Sequence, residues 1–210
     1  MRINKNIVGV AAIAVVAFTV GRLGLPLASQ SSALAQDQGE MKMSPEEAAW
    51  MKAGTPGEAH KVLDAMVGDF EATVKIWMTP DGEPMEFTGT LKREWVLDGR
   101  FIKETVKADS PMGPFEAIGY TGYNNIDGQY ESVWLENAST AITSGSGTYN
   151  ADKKELFMMS KHRNPATGQL MTNWHKTDLS DPYRETSTGW QVGPDGKKFK
   201  NFEGVFERKQ

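Results

Sequence analysis

From Gly68 onward the chain alternates apolar and polar residues with a period of two, and it keeps that rhythm almost to its end. Phe70, Ala72, Val74, Ile76 and Met78 interleave with Glu71, Thr73, Lys75 and Trp77, which predicts a strand with one face in a core. Pro80-Asp81-Gly82 turns the chain. Met85, Phe87, Gly89, Leu91, Arg93, Trp95 and Leu97 then form one face of a long strand, with Thr88, Thr90, Lys92 and Glu94 on the other. Asp98-Gly99 is a two-residue hairpin signal and leads into a strand over Arg100–Ala108. Ser110–Pro114 is a break. The stretch Gly119–Ile142 reads as strand, turn, strand, corner and the start of a third strand, with strands near 115–123, 129–136 and 140–149. Within it Asn124–Gly128 is a turn, because Asn and Asp bond back to the backbone and Gly128 accepts a positive φ. Strands over Glu155–Lys161, Gln169–Thr177, Tyr183–Val192 and a last one to Arg208 follow, separated by turns at 150–154, 164–168, 178–182 and 193–196.

That makes about ten strands joined by short connections, which force antiparallel neighbours. Ten antiparallel strands with open edges would invite aggregation, and closure removes the edges. The expected fold is therefore all-β, an antiparallel meander β-barrel, with a two-sheet sandwich as the second choice. One or two short helices precede it. Ser44 with Pro45 and Glu47 forms a capping box for a helix ending at Gly54, and Thr55 with Pro56 and Glu58 predicts a second one running to Met66. Leu63, Met66 and Val67 fall on one side of that second helix, so it should lie against the core.

Ahead of these elements, residues 1–35 read as a signal peptide. Arg2 and Lys5 precede an apolar run over Ile7–Val20, and Ala33-Leu34-Ala35 is a small-x-small cleavage signal before Gln36. An uncleaved anchor is the alternative, but the run is shorter than the ~20 residues a spanning helix needs. The domain plan is a leader at 1–35, a polar lead-in with a short helix at 36–55, and a barrel at 56–210. The expected address is periplasmic or secreted, with no stable membrane span once the leader is removed.

Charge changes the picture only after that removal. The chain has 23 Lys+Arg and 27 Asp+Glu; three of the basic residues and none of the acidic ones lie in 1–35, leaving 20 against 27, a net of −7. Such a chain is a poor partner for a phosphate backbone, so no nucleic-acid role is expected. It has no cysteine, hence no disulfide, thiol nucleophile or thiolate metal site.

Candidate chemistry is sparse. His60, His162 and His175 lack metal-ligand spacing, so no metal or other cofactor is expected. Gly145-Ser146-Gly147 with Ser144 resembles a nucleophile elbow only in composition and sits on a strand. No phosphate loop or dinucleotide fingerprint occurs, and no catalytic residues are assigned. Arg93 stands out, because it shares a face with Phe87, Leu91 and Trp95, where a charge is costly unless paired. It either faces a ligand cavity and binds an anionic group, or closes one end of the barrel against an acidic or backbone partner. Arg208 is a second candidate for sealing an end. Trp134 and Asn137 are either cavity lining or core and corner.

Several motifs carry a family resemblance: Gly68-Asp69-Phe70, Gly99-Arg100-Phe101, Gly119-Tyr120-Thr121-Gly122-Tyr123-Asn124, Trp134-Leu135-Glu136-Asn137, Ser139-Thr140, Gly147-Thr148-Tyr149 and Gly193-Pro194-Asp195-Gly196-Lys197. In this order they resemble the bacterial family catalogued as domain of unknown function 1579, over roughly residues 56 to 208. The resemblance implies a barrel similar to the calycins and lipocalins and carries no catalytic residues with it. The chain departs from the family pattern at Met158–His162 and Trp174-His175. The function expected is an exported barrel holding a small apolar or amphipathic molecule, anionic if Arg93 faces it. Ligand-binding candidates are Arg93, Trp95, Tyr123, Trp134, Asn137 and His60. Two alternatives stand beside it: a hydrolase-type enzyme at the barrel mouth using Arg93, His60 and Glu136, and a structural interaction domain.

Overall fold

A computed structural model of the chain describes residues 43–210 apart from 166, 194 and 195. The expected leader and the lead-in as far as residue 42 lie outside these residues, as do parts of the turns at 164–168 and 193–196.

Helix α1 spans Pro45–Gly54 and is started by the predicted reciprocal cap. Ser44 Oγ accepts from the Glu47 N–H at 3.2 Å, and Glu47 Oε2 accepts from the Ser44 N–H at 2.7 Å. None of its residues is buried; Trp50 and Met51 are exposed. The second helix differs from expectation. Thr55 does not cap it but closes α1, its hydroxyl donating to the Met51 carbonyl and its N–H to that of Lys52. Pro56 keeps Thr55 extended. Helix α2 therefore begins later, over Glu58–Lys61, and tightens into a 3₁₀ turn over Val62–Met66.

Ten strands follow: β1 Gly68–Ile76, β2 Met85–Val96, β3 Phe101–Ser110, β4 Gly113–Asn124, β5 Gln129–Glu136, β6 Thr143–Asn150, β7 Glu155–Arg163, β8 Leu170–Asp178, β9 Arg184–Val192 and β10 Lys198–Arg208. Each pairs antiparallel with its neighbours in sequence, and β1 pairs with β10 to close the barrel. Two predicted turns differ in detail. The β2–β3 connection is longer than Asp98-Gly99: Leu97, Asp98 and Gly99 all take left-handed φ (51°, 55° and 77°), and Leu97 leaves the inward face for solvent. The expected break at 110–114 is instead a tight turn at Pro111-Met112, with Ser110 still paired to Gly113.

One end of the barrel is plugged. Leu63 and Met66, from the 3₁₀ turn, pack against Ile102, Tyr130, Leu156 and Leu179 in one buried cluster. Phe70, Ala72, Leu91 and Phe206 form a second. Arg208 pins the plug in place. Its guanidinium donates to the carbonyls of Val67, Ala65 and Pro182 and lies 4.7 Å from the Phe70 ring centroid. The Ala65 and Val67 carbonyls lie at the end of the 3₁₀ turn, so one side chain satisfies what the helix cannot.

Candidate functional site

Cross-strand register builds a row of inward positions that starts beside the plug, where Thr121 also pairs with Ile102, and runs on around the barrel. Thr121 faces Ser132, Ser132 faces Gly145, Gly145 faces Ser160, Ser160 faces Asn173, and Asn173 faces Gln191. Side chains paired in this way share a face of the sheet, and the face is inward because the same strands put Ala117, Tyr130 and Leu156 into the core. All six residues of the row are only half-buried. Five are polar and the sixth is glycine.

Around this row the wall carries a small number of functional groups. His162 Nδ1 and Asn173 Nδ2 are 3.3 Å apart, while Asn173 Oδ1 is inaccessible to water and has no hydrogen-bond partner. His175 packs edge-on against Phe202, with centroids 5.5 Å apart, and burial holds its imidazole below the ordinary histidine value. Gly189 makes that packing possible, because a Cβ there would lie 2.8 Å from His175 Cε1. Trp134 has a similar seat. A Cβ on Gly119 would come within 3.0 Å of its Cε3, and its indole N–H donates to Glu136 Oε2 at 2.9 Å.

Arg93 lies inside the barrel, 6% exposed, and is paired rather than free. It donates to Glu104 through Nε and grips Glu185 with both terminal nitrogens, at 2.6 and 3.0 Å. Burial alone would depress the guanidinium, but the two carboxylates outweigh it and hold the pKa above the usual arginine value. Phe70 and Phe206 lie 5.7 Å from its Cζ and complete the packing. A hydrophobic strand face can carry this arginine because two carboxylates meet it.

The other sequence-derived candidates lie in different places. Trp95, Tyr123 and His60 belong to the plugged end. Trp95 donates to Asp64 Oδ1 at 2.9 Å. His60 is buried edge-on to Tyr123, and its Nδ1 accepts the Gly57 N–H at 3.1 Å; burial, and then the charge of Arg100, lower its pKa. Tyr130, which packs against Tyr123, donates to the Ala59 carbonyl at 2.8 Å, and burial with Tyr123 and Tyr149 pushes its hydroxyl up to about 12. His60 and Trp95 also border a cleft of about 450 Å³ with Asp64 and Gly99. Asn137 stands on an exposed corner, where it accepts from the Glu116 N–H and donates to the Pro114 carbonyl, clamping the end of β4. The six residues thus do not converge on one point. Glu104 and Glu185 are not among the residues that the sequence pattern singles out, nor is the row from Thr121 to Gln191. For Glu104 a signal existed, because a hairpin centred on Asp98-Gly99 places it opposite Arg93.

Comparison with known proteins gives the fold a context. The family model described as "Protein of unknown function (DUF1579)" matches residues 55–208. The crystal structure of Rv2717c from M. tuberculosis superposes with a TM-score of 0.55 at 14% identity, covering 74% of this chain and 100% of that one. A redesigned β-barrel aligns with a TM-score of 0.36 at 13% identity, over 71% of this chain and 96% of its own. A search of the curated proteins finds no significant match. At these identities the likeness to Rv2717c concerns the fold alone.

Proposed function

The chain belongs to the DUF1579 family of proteins of unknown function, and on that premise we propose that its barrel is an exported container for a small apolar or amphipathic molecule. The guest occupies the half away from the helical plug. One observation carries this reading: the inward row from Thr121 to Gln191 is polar or glycine at every position and half-buried throughout. A barrel of this strand number that held nothing would be expected to fill those positions with large apolar side chains, as its plugged end does. Trp134 supplies an aromatic wall, and the polar groups would orient the guest.

Native mass spectrometry of the protein purified from its source should show a bound small molecule, and the emptied protein should take up Nile red. Replacing Ser160 by Phe should fill the row and abolish that uptake. A protein that carries no extra mass and leaves Nile red in water would sink the container reading. Export rests on the proportions of residues 1–35, and N-terminal sequencing of secreted or periplasmic material should return Gln36; Met1 would overturn it.

A further inference from the structure

The charged groups inside the barrel favour one class of guest. Among the described strands the register turns three carboxylates inward, those of Glu104, Glu136 and Glu185, and two guanidiniums, those of Arg93 and Arg208; Arg208 is spent on the carbonyls that it seals. Arg93 is already engaged by Glu104 and Glu185. It has no charge left for an anionic guest. Glu136 is half-buried at the end of β5, and among the described residues it accepts only the Trp134 indole N–H, with no cation paired to it. The amide of Asn173 repeats the imbalance, with its Nδ2 turned to His162 and its Oδ1 buried without a donor. His175 does not offset the negative charge, since its burial favours the neutral ring.

We propose that the molecule held in the barrel is a cation with an apolar body, an amine or quaternary ammonium, seated against Trp134 and Glu136. This rests on the container reading and narrows it. A carboxylate and an indole ring side by side both attract a cation, the first by direct charge and the second by its ring quadrupole. An anionic guest would meet Glu136 with no free positive charge nearby, so the expectation of an anion held by Arg93 is replaced by its opposite.

Three compounds with the same apolar cage test this: 1-adamantylammonium, 1-adamantanol and 1-adamantanecarboxylate. Each is titrated into the emptied full-length mature protein and followed by calorimetry and tryptophan fluorescence. The ammonium should bind about tenfold more tightly than the alcohol, and the carboxylate most weakly. Glu136→Gln should bring the ammonium down to the level of the alcohol, with circular dichroism and melting confirming that the variant is folded. The wild-type series decides the matter even if that variant fails to fold. An alcohol or carboxylate that binds as tightly as the ammonium overturns the cation proposal and leaves the container standing. So does failure of all three while Nile red still enters. Failure of all three together with Nile red overturns both.

Discussion

At the plugged end, inward positions carry Ile102, Tyr130 and Leu156, and Leu63 and Met66 come up from the 3₁₀ turn to fill the space between them. Farther along the sheet, inward positions on β5, β6 and β7 carry Ser132, Gly145 and Ser160. All ten strands pair in one closed sheet, with a register shift at Lys200/Phe202, so the contrast is one of side-chain volume within a single sheet. A closed sheet of this many strands is wider than its own side chains can easily fill. One end is made solid by bringing in a helical segment and fastening it with Arg208. Beyond the plug the row from Thr121 to Gln191 carries only polar side chains and a glycine. Arg93 with its two carboxylates is one of the few charged groups turned into the interior. On the container reading proposed above, stability and capacity belong to different parts of one barrel.

The largest expected effect is on the ion network. Arg93→Ala leaves the buried Glu185 and the half-buried Glu104 without their cation, and should lower unfolding free energy in urea by roughly 3–5 kcal/mol. A loss below about 1 kcal/mol would mean that water reaches these carboxylates freely and that the interior is wet throughout. Leu63→Ala, at a residue with no exposed surface, should cost about 3 kcal/mol by the same measurement. If it were nearly silent, the helical segment would be decoration and not the plug on which the contrast depends.

A smaller effect concerns pH. Burial lowers the pKa of His175 in the folded protein, so the unfolded chain binds its proton more readily. Stability from this group is complete above the unfolded histidine value of about 6.5 and is lost as pH falls through that value toward the folded one. Compared with wild type, His175→Gln should flatten the melting temperature between pH 7 and pH 5. An unchanged slope would show that His175 is already hydrated in the folded state. The smallest effect belongs to the row itself. Ser160→Ala should change stability by no more than about 0.5 kcal/mol, and a loss comparable to that of Leu63→Ala would erase the difference between the two ends.

Local pattern alone was enough to read the strands, their antiparallel order and the inward face of β2, including the presence of Arg93 on it. Period-two alternation is a property of a few consecutive residues, and the Ser44–Glu47 cap spans only one helical turn. The pairing of Arg93 with Glu104 was also within reach, since a hairpin turn sets the register of its two strands. Glu185 was not, because it stands 92 residues from Arg93 and reaches it only when the sheet closes through β10. The polar row was hidden for a second reason. Asn173 points inward while Trp174, beside it, points outward against Lys198, so on β8 the usual sign of alternation is reversed. Serine or asparagine at an inward position looks like a solvent position to any rule based on hydrophobicity. Which residues meet across the interior depends on the register of all ten strands together, and that register is fixed only when the barrel shuts.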